Sequence, residues 1–336
     1  MIFVTGGTGF VGAHLLYHLV SRDEKVLALK RETSNIDYTR KVFGIYGEDQ
    51  QQLFDRIEWV NGDVLDPEVL TEHTRRADTI YHAAAMVSFR SSDRKKMLHT
   101  NVQGTANVVN AALENGVERL VFVSSVAALD PPKGEHPVEE QQFGNFPTRY
   151  SAYAESKFQS ELEVWRGVEE GLTAVVVNPS VIIGPMVPLQ GPGGLFTSLR
   201  KGMRYFPGGV TGFVDVRDVC RAMLALADRN LANDRYIVSE GNHSYKEMFR
   251  LIARTFNSKV PDKQLPAWVT AMAWRLEGLR AWLVGGNPRI TREIHESAHR
   301  RVYFSNNKLV QSLDYTFIPI EQSVEDTISF FDRLMN

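Results

Sequence analysis

The chain opens with the run Met1-Ile-Phe-Val-Thr5, which is followed directly by Gly6-Gly7-Thr8-Gly9-Phe10-Val11-Gly12. The first run is short, apolar and typical of a β-strand, whereas Ala13 to Val20 has the composition of a helix. Glycines between a strand and a helix let the backbone turn tightly and approach a pyrophosphate, whose charge then lies at the helix N-terminus. An ordinary glycine-rich turn is the alternative, but the flanking strand and helix favour a dinucleotide site.

Composition excludes several classes of partner. The 336 residues can build one large or two medium domains, and 38 basic residues nearly balance 40 acidic ones, so we expect neither nucleic acid nor an anionic membrane as a partner. Cys220 is the single cysteine, which fits a reducing cytoplasm, and we expect it in the core. No signal peptide is predicted. The apolar stretch from Ala267 to Gly286 contains Arg275, Glu277 and Arg280, which indicate an amphipathic helix and not a membrane span.

Runs of β-type residues alternate with segments of helical periodicity. The predicted strands after the first are Lys25–Leu29, Ile57–Val60, Thr79–His82, Arg119–Ser124, Thr173–Asn178 and Arg235–Ser239, and the main predicted helices are Met97–Leu113, Ser151–Val168, Tyr245–Phe256, Ala267–Leu283 and Glu321–Leu334. Strands that are apolar on both faces and alternate with helices predict an α/β fold, a doubly wound parallel sheet covered on both sides.

A change in composition after Asn178 predicts a second unit. Several prolines and the run Gly191-Pro-Gly-Gly194 mark a loop-rich region, and helices dominate later. We therefore predict a dinucleotide-binding domain at residues 1–180, with segment 211–240 packing back onto it. Residues 181–210 and 241–336 are predicted to form a smaller, mainly helical substrate-binding cap.

Tyr153-Ala-Glu-Ser-Lys157 carries the predicted chemistry. Residues four apart share one face of a helix, so the phenol and the ammonium project together. The ammonium favours phenolate, which predicts a pKa for Tyr153 below its usual value of about 10, as an acid/base near neutrality requires. Ser125 ends the fifth predicted strand, at the sheet edge where doubly wound proteins bind ligands. Its hydroxyl can hold a substrate oxygen there, and a turn cap is the alternative.

Taken in order, these motifs resemble the extended short-chain dehydrogenase/reductase family, also called the epimerase/dehydratase family. The matching segments are Thr5–Gly12, Gly62-Asp63-Val64, His82-Ala-Ala-Ala85, Asn101-Val-Gln-Gly-Thr105, Val123-Ser-Ser125, Tyr153–Lys157, Asn178-Pro-Ser180 and Phe213-Val-Asp-Val-Arg-Asp218. The resemblance implies that Tyr153 is the acid/base, that Lys157 binds the nicotinamide ribose and that Ser125 polarises the substrate. Implied cofactor contacts are Gly6, Gly9, Phe10, Val11, Gly12, Asp63 at the adenine, Val64, Ala83, Ala85, Asn101 and Pro179. For Asn101 a helix-positioning amide is the alternative, and His82 is expected to be a packed strand-end residue.

Departures from the family patterns reduce the number of reactions that the sequence supports. Dehydratases of the family have a segment like Thr-Asp-Glu where this chain has Ser125-Val126-Ala127, so no acid is placed to protonate a leaving hydroxyl. Nucleotide-sugar members usually carry an arginine at the position of Thr211, where it clamps a pyrophosphate, and a neutral hydroxyl replaces it poorly. Arg200, Lys201 or Arg204 could compensate. The remaining resemblance is to the dihydroflavonol-reductase and 3β-hydroxysteroid-dehydrogenase branch, which acts on fairly apolar carbonyl compounds.

Apolar side chains after the fourth strand and in the loop-rich region are candidates for the substrate wall. They are Met86, Val87, Phe89, Met186, Leu195 and Phe196, and ordinary cap core is the alternative for each. The resemblance also suggests a homodimer formed through the helices at about Met97–Leu113 and Ser151–Val168. No metal site is predicted.

The end of the second strand bears on the choice of cofactor. An NAD enzyme usually places an acidic residue there, about 20 residues beyond the glycines, to bind the ribose 2′-hydroxyl. This chain has Lys30 and Arg31, which favour NADP(H), although Glu32 leaves NAD(H) possible. The favoured hypothesis is an NADP-dependent oxidoreductase of an apolar small-molecule carbonyl. The alternatives are a nucleotide-sugar epimerase with retained NAD and a non-catalytic cofactor-binding module.

Overall fold

In a computed structural model, the chain is described at residues 1–47, 50–88, 90–131, 136–141, 151–186, 193–229, 231–284 and 291–335. The strands are β1 Ile2–Thr5, β2 Val26–Lys30, β3 Glu58–Asn61, β4 Thr79–His82, β5 Arg119–Val123, β6 Ala174–Pro179, β7 Val181–Ile183, β8 Tyr205–Phe206, β9 Val210–Asp215, β10 Asp234–Val238, β11 Gly241–Ser244 and β12 Lys263–Gln264. Seven of them form one parallel sheet in the order β10-β6-β5-β4-β1-β2-β3. The predicted doubly wound sheet is confirmed.

Helices connect the strands across both faces of this sheet. They are α1 Phe10–Val20, α2 Asp37–Tyr46, α3 Gln51–Phe54, α4 Pro67–Thr74, α5 Arg94–Leu98, α6 Gly104–Glu114, α7 Ala152–Glu169, α8 Gly193–Arg200, α9 Val216–Asp228, α10 Tyr245–Thr255, α11 Ala267–Val284, α12 Arg292–His299, α13 Asn307–Leu313 and α14 Ile320–Met335. None of these helices, within the part of the chain that the structure describes, is both long and apolar enough to cross a bilayer.

Two apolar clusters hold the sheet between its helices. On one face, side chains of α1 and α9, such as Leu16 and Met223, pack against Val4 and Val121. On the other face, α6 and α7 contribute side chains such as Val108 and Val164. Cys220 lies in the first cluster, fully buried, as expected. Within segment 211–240, α9 packs against α1 and β10 pairs with β6, whereas β9 lies in a separate three-stranded sheet.

A third apolar cluster, here called the cap cluster, lies apart from the large sheet. Its buried side chains are Ile183, Met186, Phe196, Leu199, Phe206, Phe213, Met248, Phe249, Ile252, Ile320, Val324, Ile328 and Phe331. Helix α10 shows why these elements form: Ser244 and Glu247 make a reciprocal capping box, and the buried side chains recur at helical spacing. The three-stranded sheet β11-β9-β7 lies beside this cluster and contributes Ile183 and Phe213 to it.

One predicted helix is interrupted. Instead of running from Met97 to Leu113, the chain forms α5, then a π-helical turn at His99–Gln103, then α6. The apolar spacing of the sequence cannot reveal a π-helical turn. Such a turn contains one residue more than an α-helical turn, so the apolar face of the helix rotates only slightly. Isolated π-turns are frequent at functional sites. This one contains Asn101.

Candidate active site

The carboxyl ends of the parallel strands bring the candidate residues to one edge of the sheet. Strand order reverses between β1 and β4, and ligands of doubly wound proteins bind at such a point. Gly6 follows β1 there, Ala83 follows β4, and Ser125 lies two residues beyond β5. The sequence elements that are far apart along the chain therefore meet where the fold places a ligand.

The glycine-rich loop is as tight as the sequence predicts. Gly6 has a φ of +78°, and a Cβ there would lie 2.5 Å from the backbone nitrogen of Ala84. A Cβ on Gly12 would lie 2.1 Å from the carbonyl oxygen of Gly6. The Gly9 amide donates a 2.9 Å hydrogen bond to that same carbonyl, and α1 begins at the next residue. The loop thus forms a narrow cradle at a helix N-terminus, which suits a pyrophosphate.

Two flanking residues of the loop face different neighbours. Phe10 is partly buried against the cap cluster, whereas Val11 packs with the apolar cluster beneath α1 and α9. Ala83 and Ala85 follow β4, half-buried and exposed respectively, and Pro179 ends β6 in a buried position. The predicted cofactor contacts therefore surround the carboxyl edge of the sheet from β1 to β6.

The ends of β2 and β3 supply polar groups at the other side of the cradle. Lys30 Nζ donates a 2.6 Å hydrogen bond to the Asn61 side chain, whereas the exposed Arg31 guanidinium makes no hydrogen bond or ion pair with any described residue. One carboxylate oxygen of Asp63 accepts a 3.0 Å hydrogen bond from the Leu65 amide. Val64 is mostly buried and packs where Gly104 leaves room for it.

The catalytic candidates lie on α7 and at the end of β5. Ser151 caps α7 by accepting a 3.1 Å hydrogen bond from the Ala154 amide, so the helix begins just before Tyr153. The Tyr153 phenol is hydrogen-bonded to the Ser125 hydroxyl, whose oxygen also accepts from the Ala127 amide at 3.1 Å. Ser125 thus caps a turn and contacts the tyrosine at the same time. The turn-cap alternative is therefore observed, whereas the role of Ser125 toward a substrate oxygen stays a prediction.

Lys157 projects from α7 toward the sheet and not into solvent. Its ammonium donates a 2.8 Å hydrogen bond to the Val123 carbonyl and lies 5.1 Å from the centre of the Phe122 ring. Burial lowers the pKa of Lys157 to about 8, and the Glu161 carboxylate opposes that shift. Burial raises the pKa of Tyr153, and the hydrogen bond with Ser125 opposes the rise. The prediction of a lowered tyrosine pKa is wrong for the chain without cofactor, because burial outweighs the stabilising contacts.

Both the oxygen and the nitrogen of the Asn101 side-chain amide are hydrogen-bonded within the protein. Its oxygen accepts from the Met86 amide at 2.7 Å, and its nitrogen donates to the Met86 carbonyl and to Ser156 Oγ, both at 2.9 Å. The side chain thereby joins the segment after β4 to α7, as the positioning alternative proposes. His82 bonds Thr5 at 2.6 Å and Thr105 at 3.1 Å, and its expected role as a packed residue is confirmed.

The structure separates the candidates for the substrate wall. Met86 is half-buried at the sheet edge, and the adjacent Val87 is 60% exposed. Met186 and Phe196 are fully buried in the cap cluster, where the alternative of ordinary core describes them. Phe89 lies outside the described residues. A further apolar side chain, Val181, is 37% exposed just beyond β6, and the sequence patterns did not single it out.

Sequence reasoning missed two carboxylates that lie on α7 or contact it. Glu293 on α12 accepts a hydrogen bond from the Ala152 amide at 3.2 Å, and its other oxygen is buried without a hydrogen bond in the described part of the chain. Glu161 on α7 is fully buried and bonds Asn178 and Arg235. The four-residue spacing from Lys157 to Glu161 was a signal for the second residue. Nothing local in the sequence connects Glu293 with Ala152.

Comparison with known proteins settles the family. The profile of the NAD dependent epimerase/dehydratase family matches residues 2–239. The chain belongs to this family. Over 338 residues it is 30% identical to a putative dihydroflavonol 4-reductase of Synechocystis sp., covering 98% of this chain and 94% of that one. It is 25% identical to cinnamoyl-CoA reductase 1 of Petunia hybrida, covering 98% and 91%.

A solved structure supports the fold independently. A UDP-glucose 4-epimerase of Thermotoga maritima matches with a TM-score of 0.77 at 19% identity, covering 100% of this chain and 99% of that one. At that identity the likeness shows the fold alone. The family membership shows an NAD(P)-dependent enzyme of the extended short-chain dehydrogenase/reductase type, so the resemblance read from the motifs is confirmed.

Proposed function

We propose that this protein is an NADP-dependent oxidoreductase that reduces or forms the carbonyl group of a fairly apolar small molecule. The observation that carries the proposal is the contact between the Tyr153 phenol and the Ser125 hydroxyl, with Lys157 one turn further along the same helix. A proton donor, a second hydroxyl that can hold an oxygen and a nearby cation are what carbonyl reduction requires of the protein.

The residues present fit a nicotinamide dinucleotide. Gly6 and Gly12 leave no room for side chains at the cradle, so a diphosphate can approach the backbone and the N-terminus of α1. Asp63, two residues beyond the end of β3, is the residue proposed for the adenine. Arg31 supports NADP(H) over NAD(H), because its exposed guanidinium can grip a 2′-phosphate with paired donors. When bound, the nicotinamide supplies or accepts the hydride.

Each catalytic residue then has one task. Tyr153 gives its phenolic proton to the carbonyl oxygen during reduction and takes it back during oxidation. Ser125 donates its hydroxyl hydrogen to the same oxygen, because a carbonyl oxygen can only accept, and the Ser125 oxygen accepts from the Ala127 amide. Lys157 binds the ribose hydroxyls with the ammonium hydrogens that Val123 does not use, and its charge stabilises the phenolate.

The neutral and apolar side chains around the carboxyl edge of the sheet support an apolar substrate. Thr211 offers a neutral hydroxyl where nucleotide-sugar members of the family place an arginine. Met86, Val87 and Val181 present apolar surface next to the strand ends. Two relatives carry the names putative dihydroflavonol 4-reductase and cinnamoyl-CoA reductase 1, and both names describe reductases of aromatic compounds, which supports the same substrate class.

A panel of carbonyl compounds tests the proposal. Flavonoid, steroid, aldehyde and aliphatic ketone substrates are incubated with the enzyme and NADPH, and loss of nicotinamide absorbance is followed. We expect turnover of at least one apolar aldehyde or ketone, and faster turnover with NADPH than with NADH. Tightly retained NAD after purification, with UDP-sugar epimerisation and no net change in absorbance, would replace this proposal by the epimerase alternative.

We also propose a homodimer formed through α5, α6 and α7. Leu162 lies on the outer face of α7 and is 44% exposed, although it is a large apolar side chain. Light scattering on the purified protein tests this. A monomer mass at micromolar concentration contradicts it.

A further inference from the structure

The mechanism leaves one fully buried carboxylate near the site unused. Glu161 lies on α7 one turn beyond Lys157, so Tyr153, Lys157 and Glu161 follow one another at four-residue intervals on one face of the helix. The residue is buried, and its side chain is 1% exposed. A carboxylate without solvent is costly unless donors satisfy it.

Two donors from different strands hold this carboxylate. One oxygen accepts from the Asn178 amide nitrogen at 2.5 Å, and the other from the Arg235 guanidinium at 3.2 Å. Asn178 is fully buried and Arg235 is 3% exposed, so the ion pair lies in the interior. Arg235 is fixed in turn by donating to the Glu140 carbonyl at 2.6 Å. Replacing a buried ion pair by apolar side chains is often neutral or stabilising, so stability alone does not account for this one.

The carboxylate is connected to both halves of the active site. The Asn178 amide that bonds Glu161 also donates to the backbone carbonyl of Ser125 at 3.1 Å. On the other side, the charge of Glu161 acts on Lys157, whose ammonium is bonded to the Val123 carbonyl. Glu161 therefore reaches the serine through one hydrogen-bonded amide and the lysine through one turn of helix.

The other groups around Lys157 do not supply a negative charge. Besides Glu161, the titratable neighbour of Lys157 on α7 is Tyr153, a neutral phenol whose pKa is raised by burial. From β4 it is His82, whose pKa is lowered by burial to about 3, so the imidazole is neutral above that pH. From β5 the neighbours are the Phe122 ring and the Val123 carbonyl. Arg235 faces the far side of Glu161 and has the same charge sign as the lysine.

We propose that Glu161, held by Asn178 and Arg235, is a positioning residue that keeps Lys157 protonated at neutral pH and fixes the peptide of Ser125. The placement of Glu161 stands on the contacts above. Its importance for catalysis rests on the proposed function, in which Lys157 and Ser125 act on cofactor and substrate.

The direction of the effect follows from simple electrostatics. Burial alone favours the neutral amine of Lys157, and the adjacent carboxylate favours the ammonium. Without that carboxylate the lysine loses its proton at lower pH, and the nearby arginine adds to the repulsion. A neutral lysine no longer stabilises the phenolate of Tyr153, so the pH at which the tyrosine acts as a base moves upward.

Titration of the lysines by NMR tests the proposal without substrate or cofactor. Protein with carbon-13 at the lysine ε position is followed from pH 5 to 11, and the Lys157 signal is assigned by its absence in Lys157→Met. We expect Glu161→Gln, which keeps the shape of the side chain, to lower the midpoint of Lys157 by about one pH unit or more. Arg235→Lys weakens the same ion pair but keeps the Glu161 charge, so its midpoint should stay within about 0.3 pH units of the wild type.

A second variant guards against misfolding. Glu161→Gln leaves the buried Arg235 guanidinium without its carboxylate, and the variant could fail to fold for that reason. In that case the double variant Glu161→Gln/Arg235→Gln, which removes both charges, should still lower the Lys157 midpoint by about 0.5 pH units. An unchanged midpoint in a folded charge-removing variant overturns the proposal. If the wild type turns over no carbonyl compound, the proposed function is wrong. The lysine titration then still tests the effect of Glu161 on Lys157.

A pH profile then links the titration to catalysis. In the direction of alcohol oxidation the rate rises with pH as Tyr153 becomes a base. Glu161→Gln should move that rise upward by about one pH unit, whereas Arg235→Lys should leave it in place. A purely structural role for Glu161 would lower the rate equally at every pH.

Discussion

The Lys157 ammonium donates a hydrogen bond of 2.8 Å to the carbonyl of Val123, the last residue of β5, and thereby ties α7 to the sheet. An ammonium has three hydrogens, so this bond leaves two for other acceptors, which in the proposed function are ribose hydroxyls. The contact explains how a lysine with 4% exposure can be buried and still be available at the site.

Replacing this lysine should damage binding and chemistry together. Lys157→Met keeps much of the apolar packing but removes the charge, so we expect NADPH affinity to fall about 10-fold and turnover to fall at least as far as in a tyrosine variant. Fluorescence titration with NADPH and initial rates measure the two effects. Lys96→Met, a change of an exposed lysine on α5, is the control and should alter neither.

Tyr153→Phe should separate chemistry from binding. The substitution deletes the phenolic oxygen and its contact with Ser125, and one positioned acid/base is worth about 10²–10⁴-fold in rate. We expect turnover to fall within that range while NADPH affinity stays close to that of the wild type. Turnover within a factor of two of the wild type shows that another group moves the proton.

Arg31→Ala should weaken NADP binding selectively. The guanidinium is free of other described partners, and a hydrogen bond to a charged group is worth about 1.5–3 kcal/mol, so the loss of NADP affinity should lie in that range. NAD affinity should hardly change. Lys30→Ala is the matched control, because Lys30 is already engaged by Asn61 and should contribute less. Tighter binding of NAD than of NADP by the wild type contradicts the assignment.

Gly12→Ala should abolish cofactor binding. The added methyl would lie 2.1 Å from the Gly6 carbonyl oxygen, so the loop has to open before α1 can form next to it. Gly44→Ala is a control of the same type on α2, where a Cβ would meet nothing within 4 Å. That variant should bind cofactor normally and be more stable by about 0.5–1 kcal/mol. Calorimetric melting and cofactor titration measure both outcomes.

His14 should make the fold sensitive to acid. Its imidazole is fully buried between Tyr46 and the Pro185 carbonyl, and burial lowers its pKa to about 3. Because the unfolded chain binds a proton near pH 6.5, the free energy of unfolding should fall as pH drops from about 6.5 toward 3, by about 1.4 kcal/mol per pH unit for this group.

Urea unfolding at several pH values measures that slope. Between pH 4 and 6, His14→Gln should reduce the slope of the free energy of unfolding with pH by the contribution of about one proton. The variant should also be less stable at pH 7. His136→Gln, the same change at an exposed position, controls for the substitution itself. An unchanged slope in His14→Gln would mean that the imidazole is protonated within the folded protein.

The sheet could be predicted because parallel strands that are apolar on both faces have a distinctive sequence. The predicted and observed strands agree to within one residue at most ends, as for Thr79–His82 and for Arg119 to Val123. The glycine cradle was predictable for a related reason. Gly6 and Gly12 are required by close backbone approach, which is a local property of the chain.

Features that depend on distant contacts could not be read from the sequence. The pKa of Tyr153 depends on how deeply α7 is buried, which is set by neighbouring elements, so a spacing argument from Lys157 gave the wrong direction. The wall candidates Met186 and Phe196 show the same difficulty. An apolar residue next to a ligand site and an apolar residue in a core look alike until the packing is known.

The cap cluster is assembled from separate stretches of the chain. Its side chains come from residues 183–213, 248–252 and 320–331, and between these stretches the chain returns to the large sheet through α9, β10 and α13. The cap cluster therefore cannot be transplanted as a single segment, because a chimaera that exchanges one stretch keeps a core whose other side chains pack against different neighbours. Libraries that diversify the three stretches together, within one gene, should yield folded variants more often than segment swaps.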